Sequence, residues 1–329
     1  MTKKIAIIGM GQIGRRHLQA LTLIDRPIHI QVVDPNAHAL TQAKKFYEEM
    51  KRPRFAQQVE YLTDIDTLST NLHLVIIATT ADVRKSIVEK LLTLKSVQNL
   101  ILEKVVFQHP AHFSEINNLL QKKGVQTWVN CPLRMYPLFQ QLKKSINSKP
   151  GSPHTIEYHL SGHHFNLASN AIHHLDLFSY LTNEINITLD ASSLDKTFID
   201  NKRKGFIEFT GTLKGKNKGG SYITLTSYST GEAPLLLQIS TMNIRCIAKF
   251  NQNKAWISSS PHWEWKEVDF DVPYQSKLTH LFIQQIFDEN KCDLPAYSTS
   301  WQLHSPLLDS LTQHLQTYSK WREPICPIT

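Results

Sequence analysis

The sequence predicts an α/β domain followed by an α+β domain with a large, mostly antiparallel sheet, and three observations predict it. Residues 1–129 alternate short apolar runs with segments of helical periodicity. A glycine-rich turn joins the first apolar run to the first helical segment. Beyond residue 150 several runs alternate apolar and polar residues between polar turns, the pattern of an antiparallel sheet with one solvated face.

In the first part, KIAIIG (4–9), HIQVVD (29–34), HLVIIAT (73–79), NLILEK (99–104) and QTWVN (126–130) are the strand candidates. Helical segments fall near 13–24, 36–50, 82–94 and 110–123. Continuous Val/Ile/Leu strands between helices indicate a parallel sheet covered on both faces. After residue 150 come HTIEYHL, GFIEFTGTL, SYITLTSYS, LLLQIST, NIRCIAKF, KAWISSS and HWEWKEVDF, with a helix placed at 170–182. Two helical segments, around 276–289 and 300–319, close the chain. The expected domains are 1–129 and 130–329. In HWEWKEVDF, Trp263 and Trp265 alternate, which predicts one face packed on the sheet or on a subunit partner.

A chain of 329 residues is long for one core, and two domains are the natural expectation. Apolar stretches such as LVIIA (74–78) are far shorter than the roughly 20 residues that span a bilayer. MTKK runs directly into a β-like segment without a cleavage-site pattern, and the four cysteines lack metal or redox spacing. Reduced thiols in a cytoplasm, with no membrane partner, are expected. The net charge is +8, but the basic residues are dispersed, with short clusters only at KRPR (51–54) and KGKNK (214–218). The second reads as a solvated hairpin tip, and an anionic ligand explains the balance as cheaply as nucleic acid does. No nucleic-acid partner is expected.

GMGQIG (9–14) fits G-x-G-x-x-G in the required context: a strand ends on Gly9 and a helical run opens at Gly14. Gly9 permits the tight turn, Gly11 lets backbone approach a pyrophosphate, and Gly14 lets helix and strand pack closely. Gln12 and Ile13 then offer helix N-terminal N–H groups to phosphates. Asp34 closes the second strand twenty residues after Gly14. A carboxylate there accepts hydrogen bonds from a ribose diol and repels a 2′-phosphate, favouring NAD over NADP. Lys104 ends NLILEK. A cation at a strand end can stabilise a developing alkoxide, or be an ordinary surface lysine.

The strand and glycine loop GMGQIGRRH, then ILEK, VNCPLRMYP, AIHHLDL and LPAYSTSWQLHSPLLDSL, together resemble the glucose–fructose oxidoreductase/inositol dehydrogenase family (Gfo/Idh/MocA) over nearly the whole length. The resemblance implies an N-terminal Rossmann domain and a C-terminal sheet that mediates a homo-oligomer, dimer or tetramer. It implies hydride transfer between NAD(P) and a sugar, cyclitol or nucleotide-sugar, with a tie to surface-polysaccharide sugars. Glu103-Lys104 represent the family's E-K-P, with Val105 in place of proline, and Lys104 would hold the reacting oxygen beside the nicotinamide. Thr79, Thr80 and Arg84 fall where the family's loop passes near the cofactor, and Glu103 joins that set. The D-x-G-x-H-x-x-D motif falls on residues 169–176, with Ser169 and Ala171 departing from it. The family also contains a non-catalytic member, the galactose-pathway repressor of yeast, so an NAD-dependent regulatory protein is the competing class.

Residues 173 and 174 are adjacent histidines. At about 100° per residue, Ile172, Leu175, Leu177, Phe178 and Leu181 form an apolar arc that contains His174, while His173 lies outside it with Asp176 and Tyr180. One metal cannot easily take both rings from a regular helix, so no metal is expected. Asp176, three residues on, is placed to orient the His173 ring. Ser169 or Asn170 fits an N-cap, which puts His173 in the first helical turn, where the dipole opposes imidazolium. These influences suit a proton-exchanging His173, with His174 a buried structural residue. Asn130 and Arg134, in VNCPLRMYP, either reach a substrate or serve interdomain hydrogen bonds; Asn170 joins the substrate-binding set. His163 and His164 line a cleft or an exposed loop.

Overall fold

The computed structural model describes residues 2–50, 55, 57–147 and 155–329. The KRPR cluster (51–54) and the first residue of the 154–160 strand candidate lie outside the described residues. The chain forms two compact units. The first contains Met1–Phe107, Ala111–Asn130 and Pro273–Ser298, the second Gln108–Pro110, Cys131–Val272 and Thr299–Thr329. The expected division at 129/130 did not include the return of Pro273–Ser298 to the first unit.

The first unit is a parallel sheet of β1 (Lys3–Ile8), β2 (Ile28–Val33), β3 (Gln57–Leu62), β4 (Asn71–Ile77), β5 (Ser96–Leu102) and β6 (Gln126–Val129). The strand order is β3-β2-β1-β4-β5-β6, and every pair is parallel. The chain therefore winds outward in both directions from β1, and the order reverses between β1 and β4. Doubly wound sheets open a crevice at the carboxyl ends of such strands. Ile5, Ile7, Leu74, Ile76, Leu100 and Ile101 are fully buried, as expected for central strands covered on both faces. The helices are α1 (Gln12–Leu21), α2 (Ala37–Glu48), α3 (Ala81–Leu94) and α4 (Pro110–Lys123), with α7 (Thr279–Glu289) from the return segment packing on α1. The polar strand QQVEYL had escaped the sequence reading. As an edge strand with no fully buried residue, it lacks the apolar run that marks its neighbours.

The second unit carries α5 (Pro137–Asn147), α6 (Leu167–Thr182), most of α8 (Tyr297–Tyr318) and an eight-stranded sheet. Its strands are β7 (Glu157–His163), β8 (Ile187–Asp200), β9 (Ile207–Asn217), β10 (Tyr222–Tyr228), β11 (Leu236–Ser240), β12 (Ile244–Lys249), β13 (Lys254–Ser259) and β14 (Lys266–Asp269). Only β7 and β10 pair in parallel; the other neighbours are antiparallel. Successive residues of β9 face opposite ways. Glu208 meets the start of α6, while the Phe209 ring lies 6.1 Å from that of His314 on α8.

Three expectations change here. The long edge strand β8 was not foreseen because two register shifts, between Asp190/Ser193 and Leu194/Phe198, break its alternation. Helix α5 was missed, although Leu138, Phe139, Leu142 and Ile146 form one buried stripe. The tryptophans of HWEWKEVDF stand before β14, not on it. Trp263 has a left-handed φ of 56° with the Arg245 guanidinium 5.5 Å from its ring centre, and both indoles are exposed. A groove of about 890 Å³ in this unit, lined by residues including Ile187, Leu189, Lys216, Trp301 and Pro306, contains none of the candidate site residues. No helix among the described residues is long and apolar enough to cross a membrane.

Candidate functional site

The glycine loop forms because each glycine meets a different steric demand. Gly9 has φ +97°, and a Cβ there would stand 2.9 Å from Thr79 Cγ2. A Cβ on Gly14 would lie 1.9 Å from the Gly9 carbonyl oxygen, so no other residue fits between helix and strand. Gly11, the N-cap of α1, is exposed with open space where a side chain would be. The first helical N–H groups, of Gln12, Ile13 and Gly14, have no intrahelical acceptor. The first turn carries no acidic residue, which leaves the positive end of α1 to an anion.

Asp34 is set against this loop by two charge-assisted bonds. Its Oδ2 accepts from the Met10 N–H at 2.7 Å and its Oδ1 from the Asn36 N–H at 2.9 Å. The carboxylate stays half-exposed, with lone pairs left for a ligand's hydroxyls. Thr80 is the N-cap of α3 without a side-chain cap bond. The Thr79 hydroxyl is buried and finds no partner among the described residues. A buried polar atom without a partner is costly in a closed protein, and a ligand in this loop would supply one. The residues present fit a dinucleotide.

Arg84 requires a correction. It is 1% exposed, and its guanidinium donates to the carbonyls of Thr79, Val105 and Val106. It ties the β4 loop to the segment after Lys104, and these donors are committed to the protein's own backbone. Glu103 also faces inward. It accepts from His17 Nε2 at 2.9 Å and from Asn130 Nδ2 at 2.5 Å, and is 6% exposed. Burial works against its ionisation, but the His17 and Asn130 hydrogen bonds and the nearby Lys104 charge hold its carboxyl below the usual range. Asn130 also donates to Gln275 Oε1 at 3.0 Å, and His17 Nδ1 meets the Thr279 hydroxyl at 2.8 Å. The carboxylate fixes the Asn130 amide orientation, leaving its Oδ1 buried with no partner among the described residues. Half-buried Lys104 follows directly from this network, and its peptide to Val105 is cis. His17, Gln275 and Thr279 had been given no role. Only the place of His17 in GRRH, three residues after Gly14, was a sequence signal.

In the second unit α6 starts at Leu167, with Asn166 in the left-handed region as N-cap. Ser169 and Asn170 lie inside the helix, so the N-cap expected at one of them is not there, and His173 sits in the second turn, not the first. The orphan N–H groups of Ala168 and Ser169 are taken by Glu208 Oε2 at 2.9 and 3.3 Å, and the Ser169 hydroxyl donates to Oε1. Burial raises the Glu208 carboxyl, opposed by these bonds. Asn170 Nδ2 is turned back to the Phe165 carbonyl at 2.7 Å.

Asp176 does not orient His173. Its carboxylate is gripped by Arg134 through Nε and Nη2 at 2.8 and 2.6 Å, and the guanidinium also lies 5.1 Å from the Tyr180 ring centre. Two of the planar donors of Arg134 are thereby committed to the protein, which limits its part in holding a substrate. Burial pushes the Asp176 carboxyl up to about 6 against the pull of Arg134. His174 is 5% exposed and bonded to the Tyr158 hydroxyl at 2.7 Å. His173 is half-buried on the other side of the helix. His163 ends β7 and His164 follows it, with ring centres 4.0 Å apart, and His164 bonds the Ser229 carbonyl at 2.8 Å. No group of three or more His, Cys, Asp or Glu side chains among the described residues is placed to hold a metal ion.

Residues 3–131 match the model of the oxidoreductase family with NAD-binding Rossmann fold, Gfo/Idh/MocA. No curated protein matches the sequence. The fold is similar to that of UDP-N-acetylglucosamine 3-dehydrogenase from Acidithiobacillus ferrooxidans, at 15% identity and a TM-score of 0.72, covering 94% of this chain and 97% of that one. A Gfo/Idh/MocA family oxidoreductase from Vibrio cholerae aligns at 18% identity and a TM-score of 0.69, covering 96% and 99%. The super-repressor mutant of Gal80p from Saccharomyces cerevisiae aligns at 14% identity and a TM-score of 0.71, covering 97% of both chains. Residues 3–131 therefore match the NAD-binding Rossmann domain of the Gfo/Idh/MocA oxidoreductase family, and the chain as a whole has the fold of solved structures that include a member of that family.

Proposed function

We propose that the chain is a cytoplasmic NAD-dependent oxidoreductase acting on a secondary hydroxyl or ketone of a sugar-like substrate. The observation that carries this reading is the Asp34 carboxylate, held on the glycine loop by the Met10 N–H beside the open N-terminus of α1. Gly9, Gly11, Gln12, Ile13, Gly14, Asp34, Thr79 and Thr80 hold the cofactor in this reading. NAD, when bound, would exchange a hydride with the substrate carbon. Lys104 would donate to the reacting oxygen and stabilise its negative charge. His173 would take the hydroxyl proton in the oxidative direction and return it in the reductive one. Asn130 Oδ1 is a buried acceptor for a ligand N–H or O–H, and Asn170 with the uncommitted part of Arg134 completes the polar set. Since a solved protein of the same fold is a UDP-N-acetylglucosamine 3-dehydrogenase, nucleotide-sugars are the first substrates to test, then free sugars and cyclitols. The sheet of the second unit is proposed to carry a homo-oligomeric interface.

NAD should bind at least ~10-fold tighter than NADP, about 1.4 kcal/mol, because a carboxylate facing a 2′-phosphate is repulsive. Parallel titrations against tryptophan fluorescence, followed by a screen for nicotinamide reduction, test the proposal. Equal or tighter NADP binding would mean that Asp34 does not meet the ribose. Firm NAD binding without turnover on any substrate would favour the second reading, a nucleotide-dependent regulatory protein. Ser169 in place of the family aspartate keeps that reading open.

A further inference from the structure

The motif that residues 169–176 resemble begins with an aspartate, and this chain has Ser169 there. The structure brings a different carboxylate to the same place. Glu208, on β9 and 1% exposed, accepts from the Ser169 hydroxyl, from the Ala168 and Ser169 N–H groups, and from Asn201 Nδ2 at 3.0 Å. Among the described residues no ion pair involves it. A buried carboxylate without a cation is tolerated only when hydrogen bonds and dipoles replace its water. Four donors and the positive end of α6 do so here. An aspartate at 169 would bring a second carboxylate against the first in a site that has no cation to separate them. Serine removes that repulsion and turns the contact into a donated hydrogen bond. Ser169 and His173 are i,i+4 neighbours on one helix face, so the pair lies one turn before His173.

We infer that Glu208 is a positioning residue for His173, supplying from β9 the carboxylate that the family motif carries on α6, with Ser169 as the donor that couples the two. This rests on the acid/base role proposed for His173. The full-length protein and its S169D, E208Q and S169D/E208Q variants test it by thermal melts, by the NMR signal of the His173 ring and by kinetics. S169D should lower the melting temperature by at least ~5 °C through like-charge burial, and S169D/E208Q should recover more than half of that loss. E208Q should shift the His173 ring signal and lower turnover roughly 10- to 100-fold through misplacement of the base, with NAD affinity unchanged. The double variant should move both back toward the parent. A stable S169D, or a double variant no better than S169D, would overturn the coupling. An E208Q protein that melts earlier but keeps the parent's His173 signal and turnover would leave Glu208 a helix cap and overturn the positioning role. If the parent turns over no substrate, the oxidoreductase reading fails, and the melts and the His173 signal still decide this inference.

Discussion

His173→Ala is expected to lower turnover by ~10²–10⁴, the usual worth of a positioned acid/base, and to leave the melting temperature near the parent's. The reason is local: His173 is half-buried, off the apolar arc of α6, and its loss opens no core cavity. His174→Ala acts in the opposite way. It removes a buried ring bonded to Tyr158, which costs roughly 1–3 kcal/mol of stability and spares turnover per folded molecule. The two also differ in pH behaviour. Burial pushes the His174 imidazole down from the ordinary 6.5 to about 3. A histidine depressed in the folded state contributes stability that is fully present above the unfolded value and is lost as pH falls toward the folded one. From well above pH 6.5 down to pH 5 the loss approaches about 2 kcal/mol, with a limiting slope of about 1.4 kcal/mol per unit. Thermal melts across that window should show the slope in the parent and a flatter one in His174→Ala. If kinetics instead single out His174, the assignment of the two rings is wrong.

Lys104→Ala is expected to keep NAD affinity and to lower turnover by ~10²–10³, the typical cost of removing one preorganised donor to a developing oxyanion. The separation of effects follows from where the binding groups are. The glycine loop, Asp34 and the Thr79 hydroxyl do not depend on the Lys104 side chain. The Glu103 network that precedes Lys104 is held by His17, Asn130, Gln275 and Thr279. Cofactor titration beside steady-state kinetics measures both quantities on one preparation. A variant with parental turnover would remove Lys104 from the mechanism.

The candidate residues of the two units were not equally legible. GMGQIG could be read directly, because the constraints on Gly9 and Gly14 arise from residues within one strand–turn–helix unit or from the adjacent strand end. The burial of Arg84 was not legible, because a basic residue one turn into a helix after a strand end looks the same whether it faces phosphate or backbone carbonyls. Only the positions of Val105 and Val106 distinguish the two. The pairing of His173 with Asp176 failed for a related reason. Helical spacing makes the two residues neighbours, but it says nothing about Arg134, 42 residues away, which offers the carboxylate two charged donors.

By itself the sequence determined the alternation of strands and helices in the first unit, the glycine turn with Asp34 at the end of the second strand, and the division of the two histidines between different sides of one helix. These follow from periodicity, φ/ψ preference and steric size, which act between residues close in the chain. Tertiary structure alone decided which buried polar groups satisfy one another: His17 with Glu103 across 86 residues and with Thr279 across 262, Ser169 with Glu208 across 39. Most buried donors and acceptors are paired. Which partner each finds depends on how distant segments pack, so the same serine could be a helix cap in one fold and here donates to a carboxylate brought by β9.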